Sequence, residues 1–357
     1  MSRVLLVGSG LTSAVTAYTI RPMYKNKHKI IVYERARGMG GRMSTTRNPN
    51  RPECTADLGM QYITTSPRYT EIHKTFYEDL QKEGLLKLVP IPNLLRGYKT
   101  RKPGLKYYTA PKGVGAVVKY FFNKSDTDVK FEKDVRALDL VEPEKQWRVT
   151  LGNGEVEHFD TVLITIPIPE ILQLNGTISD IIQESKDIHQ NLKEVRYSSR
   201  FALGLFFDYP IPLEVDYSGG YFKDRTIRYI SIENRKRNLG ENAPTAIVIH
   251  TSKTFGSKYV NEDINAVQKM IMERIPEFLP NLPIPSYVKI QKWQFSQVVK
   301  PYKETPGYVV LKDKPLLILA GDGFAQSTFD GCITSGLRLA DRSRSIFTRV
   351  FKPDPRP

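Results

Sequence analysis

Residues 2–20 read SRVLLVGSGLTSAVTAYTI. Val4, Leu5, Leu6 and Val7 form an unbroken apolar run, the pattern of a strand covered on both faces. Gly8-Ser9-Gly10 then turns the chain, and Leu11, Ala14, Val15 and Tyr18 recur at helical spacing. Strand, glycine turn and helix in this order open a βαβ dinucleotide-binding unit, whose helix N-terminus offers backbone N–H groups to a pyrophosphate. The fingerprint G-x-G-x-x-G/A is met at Gly8 and Gly10, whereas its third position holds Ser13, small but neither Gly nor Ala. A glycine turn in any α/β unit would share these features, so the weight falls on the second strand and the loop beyond it.

IIVYER (30–35) is that second strand, ending in Glu34, about where an acid meets a ribose 2′-OH. The same charge disfavours a 2′-phosphate at that place. RARGMGGRMST (35–45) then adds a second glycine pair, with Gly41 followed by Arg42, and ADLGMQY (56–62) sets Asp57, Gly59, Gln61 and Tyr62 on a short extended piece. An NAD enzyme does not need these additions. A longer dinucleotide with a further pyrophosphate contact does, which points to FAD and to a Rossmann-type α/β domain of the glutathione-reductase kind.

Composition excludes several classes. The chain has 357 residues, enough for two domains, and is 40% hydrophobic and 25% charged, the balance of an ordinary globular protein. The most apolar stretch, FDTVLITIPIPEILQL (159–174), is broken by an acid and prolines, so no membrane span is expected. VLLV runs directly into the glycine turn and is too short for a signal-peptide core, so a cytoplasmic location is expected. Cys54 and Cys332 cannot build a disulfide framework, which suits a reducing compartment. The excess of 53 Lys+Arg over 38 Asp+Glu is scattered in short knots such as ENRKRN (233–238), expected as solvated surface and a possible protein-partner patch. No aromatic-basic signature or zinc-finger spacing points to nucleic acid. His28, His73, His158, His189 and His250 show no metal-ligand spacing, and there is no GxSxG elbow or Walker A loop. No metal is expected.

VGSGLTS, GGRMST, ADLGMQYIT, TVLITIPIPEILQL, YSSRFALGLF (197–206), QKWQFSQV (291–298) and GDGFAQSTFDGCITSG (321–336) together resemble the renalase family. That family is a branch of the flavin amine-oxidase-like superfamily, and the resemblance runs over nearly the whole chain. It implies a p-hydroxybenzoate-hydroxylase-type fold with an interleaved substrate domain on a mixed sheet plus helices. Residues 1–75, 111–175 and 301–350 would form a discontinuous FAD-binding domain, 76–110 and 176–300 the substrate domain, and 351–357 a tail. It also implies tightly bound FAD and an oxidase acting on the 1,2- and 1,6-dihydro isomers of NAD(P). These would return as NAD(P)+, with O2 reduced to hydrogen peroxide. Carried over by position, Thr12, Arg42, Gln61 and Tyr62 would contact FAD and Trp293 would wall the substrate cavity; Arg35 and Val135 are counted with the cofactor contacts. The family in vertebrates is described as secreted without an obvious signal, the alternative to a cytoplasmic location.

Hydride transfer to a flavin asks the protein for orientation and electrostatics more than for acids and bases. Trp293, Tyr62, Phe295 and Phe329 are candidates for a flat-ring slot, although any of them could equally be core aromatics. His250, ending the strand TAIVIH, could bond a carboxamide or be a satisfied core histidine. Covalent flavin attachment in monoamine oxidases needs a cysteine where this chain has Gly336 followed by Leu337, so the FAD should be noncovalent. Polyamine-oxidase relatives carry a lysine near the flavin that WQFSQ lacks. Oxidation of amines or another small substrate, or a signalling protein stabilised by FAD, are the alternatives.

A second junction, LLIL followed by AGDGFAQSTFDGCITSG, again runs strand, glycine turn, helix. Asp322 is expected on the ribityl chain. The helix opening near Gly331-Cys332-Ile333 is expected to aim its N–H groups at the flavin pyrimidine edge.

Overall fold

The apolar run Val4–Val7 becomes the heart of a six-stranded sheet. The computed structural model describes residues 2–24, 28–89, 95–97, 103–303 and 306–350, so the tail 351–357 lies outside the described residues. In spatial order the strands are Tyr308–Asp313, Leu316–Ala320, Thr161–Ile164, Ser2–Val7, His28–Tyr33 and Asp128–Lys130. All neighbours are parallel except Tyr308–Asp313, which pairs antiparallel on one edge. Central strands of such a sheet are covered on both faces, and Leu5, Leu6, Val162, Leu163, Leu317 and Ile318 are each fully buried. Each such side chain stabilises by about 1.5–3 kcal/mol relative to exposure.

The first helix, Leu11–Tyr24, packs against the terminal helix, Phe329–Val350. Gly336 allows the approach: a Cβ there would stand 2.9 Å from the Thr12 carbonyl oxygen and 3.0 Å from Val15. Thr16 Oγ1 bonds the Gly336 carbonyl at 3.2 Å across the same contact. The strand Val135–Val141 lies in a separate antiparallel sheet with Gln146–Leu151 and Val156–Phe159.

The chain forms two compact units. One comprises Met1–Gly41, Val118–Arg196 and Val298–Pro357; the other comprises Arg42–Val117 and Tyr197–Gln297. Each unit is assembled from separated segments, with cuts other than those the resemblance implies. Residues 42–75, expected with the first part, pack with the second, because Cys54, Ala56 and Leu58 are buried against Ala202, Phe206, Ala246 and Val248 and Asp57 N–H bonds the Glu233 carboxylate at 3.1 Å. Residues 176–196 move the other way. Their helices Thr177–Glu184 and Lys186–Glu194 belong to the first unit, where the Thr177 hydroxyl accepts from Leu140 N–H at 3.1 Å.

The second unit is built on a mixed sheet ordered Tyr287–Lys300, Arg196–Phe206, Ala246–Thr251, Ile227–Ile232, Gly219–Tyr221 and Leu95–Arg96. Alternation sends Phe201, Leu203, Leu205 and Phe207 to one face, where they pack with Val267 and Ile271 of the helix Ile264–Met272. That helix starts where Asp263 accepts N–H bonds from Asn265 and Ala266. The opposite face carries Ala202, His250, Tyr229 and Tyr221 in register across four strands.

Candidate functional site

In the first unit the two glycine loops meet. Gly8 has φ +94°, a conformation L side chains rarely adopt, and a Cβ there would stand 3.0 Å from Ile166. A Cβ on Gly10 would meet nothing within 4 Å, so the turn is open on that side. Gly40 N–H bonds the Ser9 carbonyl at 3.0 Å, and Gly41, with φ +52°, lies beside Gly10. Ser13, the departure from the fingerprint, is fully buried and shares a 2.7 Å hydrogen bond with the Thr165 hydroxyl of the chain just past the strand Thr161–Ile164. A hydroxyl pair thus occupies the place of a bare helix–strand contact.

Glu34 is buried and locked onto the turn. Its Oε2 accepts from Ser9 N–H at 3.0 Å and Ser9 Oγ at 2.7 Å, and its Oε1 from Ala36 N–H at 2.9 Å. A carboxylate offers about four acceptor positions, which leaves capacity for a ribose hydroxyl. An open glycine turn before a helix and a buried acid with spare capacity fit a dinucleotide.

The second junction lies in the same unit, joined where Thr12 Oγ1 bonds the Cys332 carbonyl at 3.5 Å. Asp322 is buried and accepts from the Ser327 hydroxyl. The opening of the terminal helix is bonded by the residue just before it. The helix begins at Phe329, and the Gly331 and Cys332 N–H groups are taken by the Thr328 hydroxyl at 3.0 Å and carbonyl at 3.1 Å. Thr328 thus caps the helix. Arg35 pairs with Glu170 at 2.8 Å, and Val135 is buried at the start of its antiparallel strand. Phe329 is buried core in this unit.

In the second unit, ADLGMQY is a bend rather than an extended piece, and it organises three of the expected residues. The Leu58 carbonyl accepts from Trp293 Nε1–H at 2.8 Å and from His250 Nε2–H at 3.1 Å. Gln61 lies 3.4 Å from His250 Nε2, its amide N–H given to the Asp57 and Gly59 carbonyls and its Oε1 accepting from Lys236 at 3.2 Å. Because a carbonyl only accepts, His250 carries its proton on Nε2 and presents Nδ1 as acceptor. Burial, and then the Arg200 charge, push the His250 pKa down to about 4, against the opposing pull of the Leu58 carbonyl. The imidazole is neutral at pH 7. Tyr62 bonds Tyr221 hydroxyl to hydroxyl; the Tyr221 ring lies 4.9 Å from Tyr229, which lies 5.9 Å from His250. Arg42 Nη1 reaches the Ser296 carbonyl at 3.4 Å, and Phe295 packs edge-on to Tyr197.

ENRKRN is not solvated surface. Lys236 and Arg237 are buried with Asp57 and Glu233: Arg237 bonds Asp57 at 2.8 Å and Glu233 at 2.7 Å, and Lys236 bonds Glu233 at 2.6 Å. Arg235 bonds the Leu213 and Val215 carbonyls. Burial pushes the Glu233 carboxyl up, but the Lys236 and Arg237 charges outweigh it and hold it below the usual carboxylate range. Sequence reasoning missed Arg200, Tyr221, Tyr229 and Lys236. A charged residue heading the apolar run FALGLFF was the one available signal for Arg200.

Comparison with known proteins agrees with this frame. Residues 6–80 match the NAD(P)-binding Rossmann-like domain, and residues 73–342 match the flavin containing amine oxidoreductase family. Wild-type putrescine oxidase bound to putrescine superposes with a TM-score of 0.65 at 11% identity, over 96% of this chain and 99% of that one. A Pyrococcus furiosus protein superposes with a TM-score of 0.61 at 13% identity, over 96% and 97%. Fold and cradle thus define a FAD-dependent oxidoreductase of the flavin amine-oxidase-like superfamily. Mouse renalase is 39% identical over 341 residues, covering 95% of this chain and 98% of that protein, and the chain belongs to the renalase family.

Proposed function

We propose that the protein oxidises 1,2- and 1,6-dihydro isomers of NAD(P) to NAD(P)+, passing the electrons to O2 to give hydrogen peroxide. The observation that carries this reading is the charge on the second unit's sheet face. His250 is held neutral beside a fixed cation, Arg200, and the nearby carboxylates Asp57 and Glu233 are committed to Lys236 and Arg237. An amine arrives at neutral pH as an ammonium ion, which this face repels and for which its described residues offer no uncommitted carboxylate. A dihydronicotinamide is uncharged at its ring and needs no base, since gaining aromaticity drives hydride loss.

FAD supplies an acceptor for that hydride and a route for its electrons to oxygen. The chain's own residues supply position. Trp293, held by Leu58, offers a flat wall, and Tyr62 and Tyr221 support the row beside it. Neutral His250 offers Nδ1 to a carboxamide N–H. Anaerobic mixing of the yellow protein with each defined isomer should bleach the flavin and release NAD(P)+; admitting oxygen should restore the colour and form peroxide. Bleaching by an amine but by neither isomer would sink the reading.

A further inference from the structure

Arg200 stands two residues before Ala202 on the strand Arg196–Phe206, and therefore on the same face as Ala202 and its cross-strand partner His250. Its surroundings differ from those of the buried cations nearby. Lys236 and Arg237 each hold carboxylates. The bonds from Arg200 all run from Nη1 to neutral oxygens: Ser198 Oγ at 3.3 Å, Ser296 Oγ at 3.1 Å and Gln297 Oε1 at 3.0 Å. Among the described residues no carboxylate pairs with it, and the guanidinium next to it, Arg228, is another cation.

Arg200 is half-buried, and a guanidinium does not shed its proton to relieve partial burial, so without a counter-ion it carries a cost that an incoming anion lowers. Desolvation already depresses its pKa, and its charge reaches His250. With Nη1 fixed by three neutral acceptors, Nε and Nη2 remain as the fork edge that matches the oxygens of a phosphate.

We propose that Arg200 holds a phosphate group of a nucleotide on this face. The substrate's own phosphate is the favoured occupant, because Arg200 shares its face with His250; the cofactor's phosphate is the other source of the same chemistry. The assignment rests on the dihydronicotinamide reading of the site.

The test uses the holoprotein as wild type, Arg200→Gln and Arg200→Lys. Each is assayed with isomeric dihydronicotinamide mononucleotide and with the riboside that lacks the phosphate. A charge-assisted hydrogen bond contributes about 1.5–3 kcal/mol, so Arg200→Gln should lower the mononucleotide-to-riboside ratio of kcat/KM by about 10- to 150-fold. The change should sit in KM, and Arg200→Lys should recover part of it. Loss of flavin absorbance per protein with an unchanged ratio would assign the phosphate to the cofactor. An equal fall for both substrates with full flavin content overturns the proposal. Should the wild type turn over neither isomer, titration with inorganic pyrophosphate, read as a flavin absorbance shift, decides separately. A shift present in wild type and absent in Arg200→Gln upholds the phosphate site; no shift in either overturns it.

Discussion

Trp293 and His250 are tied to one oxygen: the indole N–H at 2.8 Å and the imidazole N–H at 3.1 Å both donate to the Leu58 carbonyl. The two side chains come from different strands, so neither sets the other's position directly. The bend at residues 57–59 does, and it is anchored in turn where the Asp57 carboxylate bonds Arg237. A shift of that bend moves both side chains together.

Trp293→Phe keeps a flat wall and deletes the N–H. One net hydrogen bond contributes about 0.5–1.5 kcal/mol, so kcat/KM should fall about 2- to 12-fold, and Trp293→Ala should cost more. Steady-state kinetics of the two variants check the order.

His250 links stability to pH. Its pKa is about 4 in the folded chain against 6.5 for an ordinary histidine. The unfolded chain therefore takes up the proton first as pH falls. The stabilising contribution is complete above pH 6.5 and is lost as pH falls from there to about 4. Thermal melts across that window should decline less steeply for His250→Gln. Arg200→Gln removes a nearby cation and should raise the imidazole pKa, read by NMR titration.

Arg237→Met removes one cation from the buried cluster and leaves Asp57 and Glu233 with Lys236 alone. Breaking a buried pair this way costs about 3–5 kcal/mol. Because Asp57 also loses one of its anchors, keeping those to Thr45 and Val114, the Leu58 bend should loosen and activity should fall with stability. Asp57→Asn combined with Arg237→Met should cost less than the sum of the two single changes, measured by denaturant unfolding.

Glu34→Gln places an NH2 group where the carboxylate now accepts N–H and O–H bonds from Ser9 and Ala36. The glycine turn should lose its brace and FAD should be held at least about 10-fold less tightly, a loss of one charge-assisted bond. The flavin-to-protein absorbance ratio after dilution and gel filtration measures it.

The cofactor cradle was legible because its signals are contiguous. A four-residue apolar run, a glycine turn with open space at Gly10 and a helix periodicity all lie within nineteen residues, and each is a local backbone or burial preference. The departure at Ser13 was visible too, whereas its explanation was not, since Thr165 lies 152 residues away. ENRKRN shows the same limit more sharply. By composition it is a basic surface knot, yet its neutralising Asp57 stands 176 residues from Glu233 in the chain. Arg200 is the converse case, a strand residue for which no carboxylate among the described residues is a partner. Local pattern dictates strands, turns and helix starts because those depend on neighbouring residues. Whether a charge is buried, paired or left waiting for a ligand depends on which distant segments the fold brings beside it, and no short window of sequence contains that information.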